Sequence, residues 1–387
     1  MTSVINLKPA SPKKIDDIAF IDLVAQQKRI RPAIEKRLQA VLDHGRYIAG
    51  PEIDELEDLL SERTGAPTVI SCASGTAALI IPLLARGVGR GDAVFLPAFT
   101  YNATANAVLL CGATPVFVDI DPNTFNIDPV DLDHRIAAVR AEGNLRPRAI
   151  IPVDLFGSPA DYPAIHAIAK RDDLFILADG AQSFGGELSN TQVGALAPAT
   201  GTSFFPGKAL GAYGDAGAIF SMNSHDRERW ASIRWHGTDD ARKESVRVGF
   251  NGRMDSFQAG VLLEKLAIFD DELATRRQIA GVYNERLKSV TKPQSHIKGA
   301  SSGYGYYSLR TTNRDQAVKK LKNMGVPTAI YYATPLHLMP AFADYAPVNG
   351  LPQTELVATE IFSLPMHPYL SDAQIDHICD SVLEICG

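Results

Sequence analysis

Several things are scarce in this chain, and each scarcity removes a class of protein. No uninterrupted apolar run is long enough to cross a bilayer; the best candidates are broken by Gly, Ser or Pro within a few residues. Residues 1–17 are polar, carry Lys13 and Lys14, and have no apolar h-region. They read as a loose arm and not as a secretory signal. Four cysteines occur, Cys72, Cys111, Cys379 and Cys386, none in C-x-x-C spacing. They read as reduced thiols in a cytoplasm, with no disulfide framework and no metal site. No G-x-G-x-x-G follows an early strand with an acidic residue at the right distance, which argues against a nicotinamide oxidoreductase. Positive charge is in deficit, 38 Lys+Arg against 44 Asp+Glu for a net charge of −6. That gives no general field for nucleic acid or an anionic membrane. Any anionic ligand must be held by local groups.

What is present is an ordinary globular composition over 387 residues, 45% hydrophobic and 21% charged. That length exceeds one compact core and suits two domains. Short apolar runs alternate with helical periods. Strands are expected at 68–71, 92–97, 115–119, 149–154 and 174–179, and helices at 51–63, 75–84, 103–111, 129–141 and 160–171. The strands are continuous runs of Val, Ile, Leu and Phe without alternation, the pattern of a sheet buried on both faces. The expectation is an α/β fold with a mostly parallel, doubly covered sheet. Residues 254–287 read as one long helix or two joined ones, with Asp255 as N-cap. A strand at 304–310 and helices at 314–324 and 372–385 follow. The expected division is an arm at 1–19, a large domain at 20–270 and a small domain at 271–387.

The chemistry concentrates in Thr202 to Gly217, where Lys208 sits in a Gly-rich, otherwise apolar loop five residues after Ser203. Desolvation lowers an ammonium pKa, which a lysine needs in order to condense with an aldehyde. Upstream, Asp179 ends a buried strand and Gln182 follows three residues on. Carboxylate, lysine and hydroxyl are the parts of a pyridoxal phosphate site: one for the pyridinium nitrogen, one for the aldehyde, one for the phosphate. Ser74-Gly75-Thr76 opens a helix after a strand, and free N–H groups there can hold a phosphate. Tyr101 begins another helix and can stack on a flat cofactor. Asn251 and Arg253 lie in a polar turn, where a function requires a nearby anion. His236, His337 and His367 are isolated, and a catalytic role is not assigned to them.

Six ordered stretches, 44–51, 74–79, 178–183, 203–208, 251–255 and 364–368, together resemble the sugar-nucleotide aminotransferases of the DegT/DnrJ/EryC1/StrS family. The resemblance covers nearly the whole chain from about Phe20. It implies the fold type I, aspartate aminotransferase-like architecture, with a mostly parallel seven-stranded central sheet and a smaller C-terminal α/β domain. It implies pyridoxal 5'-phosphate held by Lys208, with Asp179 on the ring nitrogen and Gln182 on the phenolic oxygen. Ser203, Gly75 and Thr76 would form the phosphate cup and Tyr101 the stacking face. Asn251 would reach the phosphate of a neighbouring subunit, making a homodimer with shared sites. Gly180 departs from many relatives, which carry Ala there. Softer cues point to the branch that aminates C3 of UDP-2-acetamido-2-deoxy-3-oxo-glucuronate, with L-glutamate as donor. Arg253, Tyr332 and His337 are the candidate substrate contacts. The alternatives weighed are a dTDP- or GDP-linked 3- or 4-keto-6-deoxy sugar as substrate, a dehydratase, which carries histidine in place of the lysine, and a non-catalytic regulator.

Overall fold

The computed structural model describes residues 17–387. The expected arm at 1–19 therefore lies, over residues 1–16, outside the described residues. Helix α1 (Leu23–His44) opens on Asp22, whose side chain accepts from Ala25 N–H, and stops at Gly45 in a left-handed conformation. Helix α2 (Pro51–Thr64) follows, with Pro51 in its first turn and Gly65 at its end.

A seven-stranded sheet comes next. Its strands are β1 (Thr68–Cys72), β2 (Asp92–Pro97), β3 (Thr114–Val118), β4 (Arg146–Ile150) and β5 (Phe175–Asp179). After a short hairpin, β6 (Glu187–Leu188) and β7 (Thr191–Gln192), come β8 (Ala199–Ser203) and β9 (Gly217–Ser221). The spatial order is β1-β9-β8-β5-β4-β2-β3. The β2–β3, β2–β4, β4–β5 and β5–β8 pairs are parallel, and β9 is antiparallel to both neighbours. The mostly parallel α/β expectation holds. Helices α3 (Gly75–Ala85), α4 (Ala103–Leu110), α5 (Pro129–Glu142) and α6 (Tyr162–Asp172) cross between strands. Buried clusters lie on both sheet faces, one around Leu79, Val94, Leu177 and Ile219, another around Phe95, Ile136, Ile150 and Ile165.

Helix α7 (Asp226–Arg234) precedes two joined helices, the second of the alternatives given above for 254–287. These are α8 (Ser256–Leu266) and α9 (Phe269–Leu287). Buried Ile279, Tyr283 and Leu287 of α9 pack on the C-terminal cluster. That part contains β10 (Lys292–Pro293), β11 (Ala300–Ser301), β12 (Tyr307–Arg310), α10 (Arg314–Asn323), α11 (Pro352–Glu360), β13 (Ile361–Leu364) and α12 (Asp372–Cys386). Strands β10, β12 and β13 form a separate three-stranded sheet.

Two strands are placed differently from the sequence expectation: β12 starts at Tyr307 and not at 304, and β4 is shifted. β4 is Arg146–Ile150 and not 149–154. Arg146 enters the ladder because its guanidinium pairs with Asp92 of β2 at 2.6 Å. The apolar run Ile151–Val153 stays buried past the strand's end, held by a hydrogen bond from Ile151 N–H to the Phe95 carbonyl (2.7 Å) and a bridge between Val153 and Asp179.

Candidate active site

The carboxyl ends of the parallel strands meet along one edge of the sheet, the usual ligand edge of such folds. Asp179 ends β5, Ser203 ends β8, and Ser74 and Tyr101 follow β1 and β2. Antiparallel β9 starts at the same edge, with Gly217 in register with both Cys72 and Ser203. A cavity of about 630 Å³ opens there, lined by Gly75, Thr76, Tyr101, Asp179, Gln182, Ser203, Lys208, Tyr306, Tyr331 and Tyr332, among others.

Lys208 lies on the connection between β8 and β9. That connection is shaped by hydrogen bonds from Phe204 N–H to the Ala216 carbonyl and from Ala212 N–H to the Phe204 carbonyl, both 2.8 Å. Phe204, Leu210 and Ala212 are buried and anchor it. A Cβ at Gly211 would lie 2.5 Å from the Pro206 carbonyl oxygen, so only glycine closes the turn. Burial pushes the Lys208 amine down to about 8, opposed by the charge of Asp179. Its Nζ stands 5.8 Å from the centre of the Tyr306 ring.

Asp179 is buried, and burial raises its carboxyl above the ordinary range. Three groups oppose that rise: Thr104 Oγ1 donating to Oδ2 at 2.8 Å, Ala181 N–H donating to Oδ1 at 3.2 Å, and the Lys208 charge. The Thr104 hydroxyl is a site group that sequence reading passed over. Its signal was its place in the first turn of α4, three residues after Tyr101. Gln182 accepts at Oε1 from Phe156 N–H (2.7 Å) and donates from Nε2 to the Tyr332 hydroxyl (2.9 Å). Tyr306 and Tyr331 were also missed. They add an aromatic wall, their rings 4.8 Å apart.

At the other end, Ser74 caps α3, its hydroxyl accepting from Ala77 N–H at 3.2 Å. The first-turn N–H groups of Gly75 and Thr76 have no intrahelical acceptor. The helix end is packed down hard. A Cβ at Gly75 would sit 2.7 Å from Ser203 Cβ, and one at Gly217 would sit 2.6 Å from the Ser74 carbonyl oxygen. Gly180, the departure from many relatives, has room for a methyl only if Thr200 yields, at 3.0 Å.

Three expected residues are not at the cavity wall. Asn251 is exposed and bridges Trp235. The Arg253 guanidinium lies over the Trp235 ring, 4.5 Å from its centre, and its buried Nε has no partner among the described residues. His337 is buried and bonded to Glu355 at 3.0 Å.

The residues present fit pyridoxal phosphate. A glycine-floored cup with free N–H groups and a hydroxyl would suit the phosphate, a buried carboxyl in the same cavity could pair with a ring nitrogen, and a depressed amine is there for an aldehyde. Among the described residues lining the cavity, Lys208 is the one cation, set against Asp179 and Asp215.

Comparisons with known proteins agree with this chemistry. Residues 28–383 match the model of the DegT/DnrJ/EryC1/StrS aminotransferase family. A curated relative from Pseudomonas aeruginosa, "UDP-2-acetamido-2-deoxy-3-oxo-D-glucuronate aminotransferase", is 46% identical over 94% of this chain and 98% of its own length. A solved DegT DnrJ EryC1 StrS aminotransferase from Brucella abortus superposes with a TM-score of 0.94 at 47% identity, over 96% of this chain and all of that one. NtdA of Bacillus subtilis, solved with bound cofactor PMP, superposes with a TM-score of 0.86 at 28% identity over 97% of this chain and 86% of its own. The fold type I architecture, the cavity and these likenesses lead to one conclusion: the chain belongs to the DegT/DnrJ/EryC1/StrS aminotransferase family and is a pyridoxal phosphate-dependent transaminase.

Proposed function

We propose that this enzyme moves the amino group of L-glutamate onto C3 of UDP-2-acetamido-2-deoxy-3-oxo-D-glucuronate, making an amino sugar for a surface polysaccharide in the cytoplasm. The observation that carries the reading is the joint placement of the Lys208 amine and the Asp179 carboxyl in one cavity whose far end is the α3 N-terminus. The substrate rests on the 46% identity to the Pseudomonas aeruginosa enzyme over nearly the full length of both chains.

When bound, pyridoxal phosphate supplies an aldehyde for the amino group and a ring that stores an electron pair. The chain's own residues do the rest. The Gly75 and Thr76 N–H groups and the Ser203 hydroxyl hold the phosphate. Asp179, whose burial Thr104 and Ala181 offset in part, would pair with the ring nitrogen and favour a proton there. Gln182 offers its NH₂ to the phenolic oxygen. Lys208, once free, takes a proton from the amino-acid carbon and returns it elsewhere as a general acid/base, for which an amine near 8 is well matched to neutral pH. Tyr101 and Tyr332 shape the space above.

The working unit in this reading is a homodimer. Among the described residues the cavity has a single cation of its own, too little for a phosphate, a nucleotide diphosphate and a carboxylate together. Asn251 and Arg253 stand outside it, where they can serve a second copy. A guanidinium suits a carboxylate through its fork. The test is a panel of keto nucleotide-sugars with glutamate, read by mass spectrometry of the aminated product. Product from the UDP-3-oxo uronate is expected. Product from a dTDP- or GDP-linked 4-keto-6-deoxy sugar alone would overturn the substrate and leave the family standing.

A further inference from the structure

Asp154 is a fully buried acid with no task in the mechanism above. It lies where the chain leaves the sheet beside the end of β5. Its N–H donates to the Asp179 carbonyl at 3.0 Å, and Asp179 N–H donates to the Pro152 carbonyl at 2.8 Å. Its carboxyl then gathers donors from two directions. Oδ1 accepts from Ala160 N–H and from the Tyr162 hydroxyl, each at 2.9 Å. Oδ2 accepts from the Ser183 hydroxyl at 3.1 Å. The first pair closes residues 154–160 into a tight loop. The third contact ties that loop to the residue after Gln182.

Inside the loop, Phe156 is buried with φ at 60° and Gly157 has φ at 116°. A left-handed conformation is unfavourable for a bulky residue and persists only when its surroundings impose it. Glycine is needed next, since a Cβ at 157 would lie 2.6 Å from the Tyr304 nitrogen. This backbone aims Phe156 N–H at Gln182 Oε1, 2.7 Å away. A backbone N–H can only donate, so the amide must turn its oxygen to the loop and its NH₂ to the cavity.

We propose that Asp154 is a positioning residue: by holding the 154–160 loop against Ser183, it fixes which end of the Gln182 amide faces the cofactor. The inference rests on the reading of Gln182 as partner of the phenolic oxygen. That oxygen needs a donor, and a reversed amide would set lone pair against lone pair. Burial, opposed by its three donors and helped by the neighbouring Asp179 charge, raises the Asp154 carboxyl to about 7. The group is therefore neutral or anionic within the working pH range, and in both states it keeps Ala160 N–H.

The test compares wild type, Asp154→Asn, Asp154→Ala, Ser183→Ala and Gln182→Glu as purified dimers titrated with pyridoxal phosphate. The readouts are the dissociation constant and the maximum of the visible absorbance band. Asp154→Asn keeps the shape and two acceptor contacts and is expected to match wild type. Asp154→Ala is expected to weaken binding roughly tenfold, about one net hydrogen bond, and to displace the band. Ser183→Ala should fall between. Gln182→Glu keeps an acceptor for Phe156 N–H but offers the cavity only oxygen, so it should weaken binding at least as much with little change in apo thermal stability. A wild-type constant and band in Asp154→Ala would overturn the proposal, as would wild-type binding by Gln182→Glu. If Asp154→Ala does not fold, wild-type behaviour of both Ser183→Ala and Gln182→Glu overturns it equally. A wild type that gives no visible band at all would instead remove the cofactor site, and the proposal with it.

Discussion

Thr104→Val is the sharpest probe of how the buried Asp179 carboxyl is tuned. The substitution keeps shape in a fully buried position and removes one hydroxyl. That hydroxyl donates to Asp179 Oδ2 at 2.8 Å and also contacts Thr100 Oγ1 at 3.1 Å. A hydrogen bond to a charged group contributes about 1.5–3 kcal/mol. At 1.36 kcal/mol per unit, its loss should raise the Asp179 pKa by about one to two units. Burial has already raised this carboxyl, so its charge opposes folding of the apo protein at high pH and ceases to do so as pH falls. The variant's stability deficit should therefore be larger at pH 8 than at pH 5. The direct assay is the pH titration of the Asp179 carboxyl carbon by NMR in apo protein, paired with the acid limb of kcat/KM. Both should move upward together. A titration midpoint within a few tenths of a unit of wild type would refute the role given to Thr104.

Gly75→Ala would drive a methyl to 2.7 Å from Ser203 Cβ. Cofactor affinity should fall at least tenfold, with a loss of about 1–3 kcal/mol in apo stability, measured by titration and thermal melts. Lys208→Met removes a buried amine whose pKa is depressed to about 8. Since the unfolded chain binds that proton more readily, wild-type apo stability rises with pH between about 8 and the ordinary lysine value, and the penalty is full below 8. The variant apo protein should thus melt higher than wild type at pH 7, by about 3 kcal/mol or less, and the gap should close near pH 10.5; equal melts at pH 7 would contradict the burial argument. Mixing Lys208→Ala with Asn251→Ala subunits should restore activity if sites are shared, because each mixed dimer then has one intact site. No recovery after confirmed subunit exchange would place both residues in the same chain's site.

Sequence reading went furthest where burial alone sets the pattern. Strand β2 was placed residue for residue because Ala93–Leu96 is uniformly apolar and fully buried. Strands β8 and β9 were not named. Ala199–Ser203 is a run of small and hydroxylated residues, and glycine at 201 is required because a Cβ there would meet the Ala78 carbonyl oxygen at 2.9 Å. Sheet position here follows from close packing of α3, which leaves no hydrophobic signature. Strand β4 slipped because an ion pair between Arg146 and Asp92 drew polar residues into the ladder. Lys208, Asp179, Gln182 and Ser203 stand out in the sequence because a condensing amine needs a carboxylate and a hydroxyl near it, and the fold brings all four to one cavity wall. Thr104, Asp154 and Phe156 act through other residues or through a backbone N–H, and one chain of letters does not display such contacts.

We expect the Lys208 amine to be the one that bonds to the cofactor. Among the described residues its close rival is Lys265, also buried and pushed down to about 8, but set 4.5 Å from the Tyr213 ring and beside Glu272, away from the cavity wall. Borohydride reduction of the pyridoxal phosphate-loaded enzyme, followed by peptide mass spectrometry, decides between them. A pyridoxyl adduct on the peptide carrying Lys208, absent from Lys208→Ala, is predicted. An adduct confined to Lys265, or none on a protein that shows the visible band, would contradict the account.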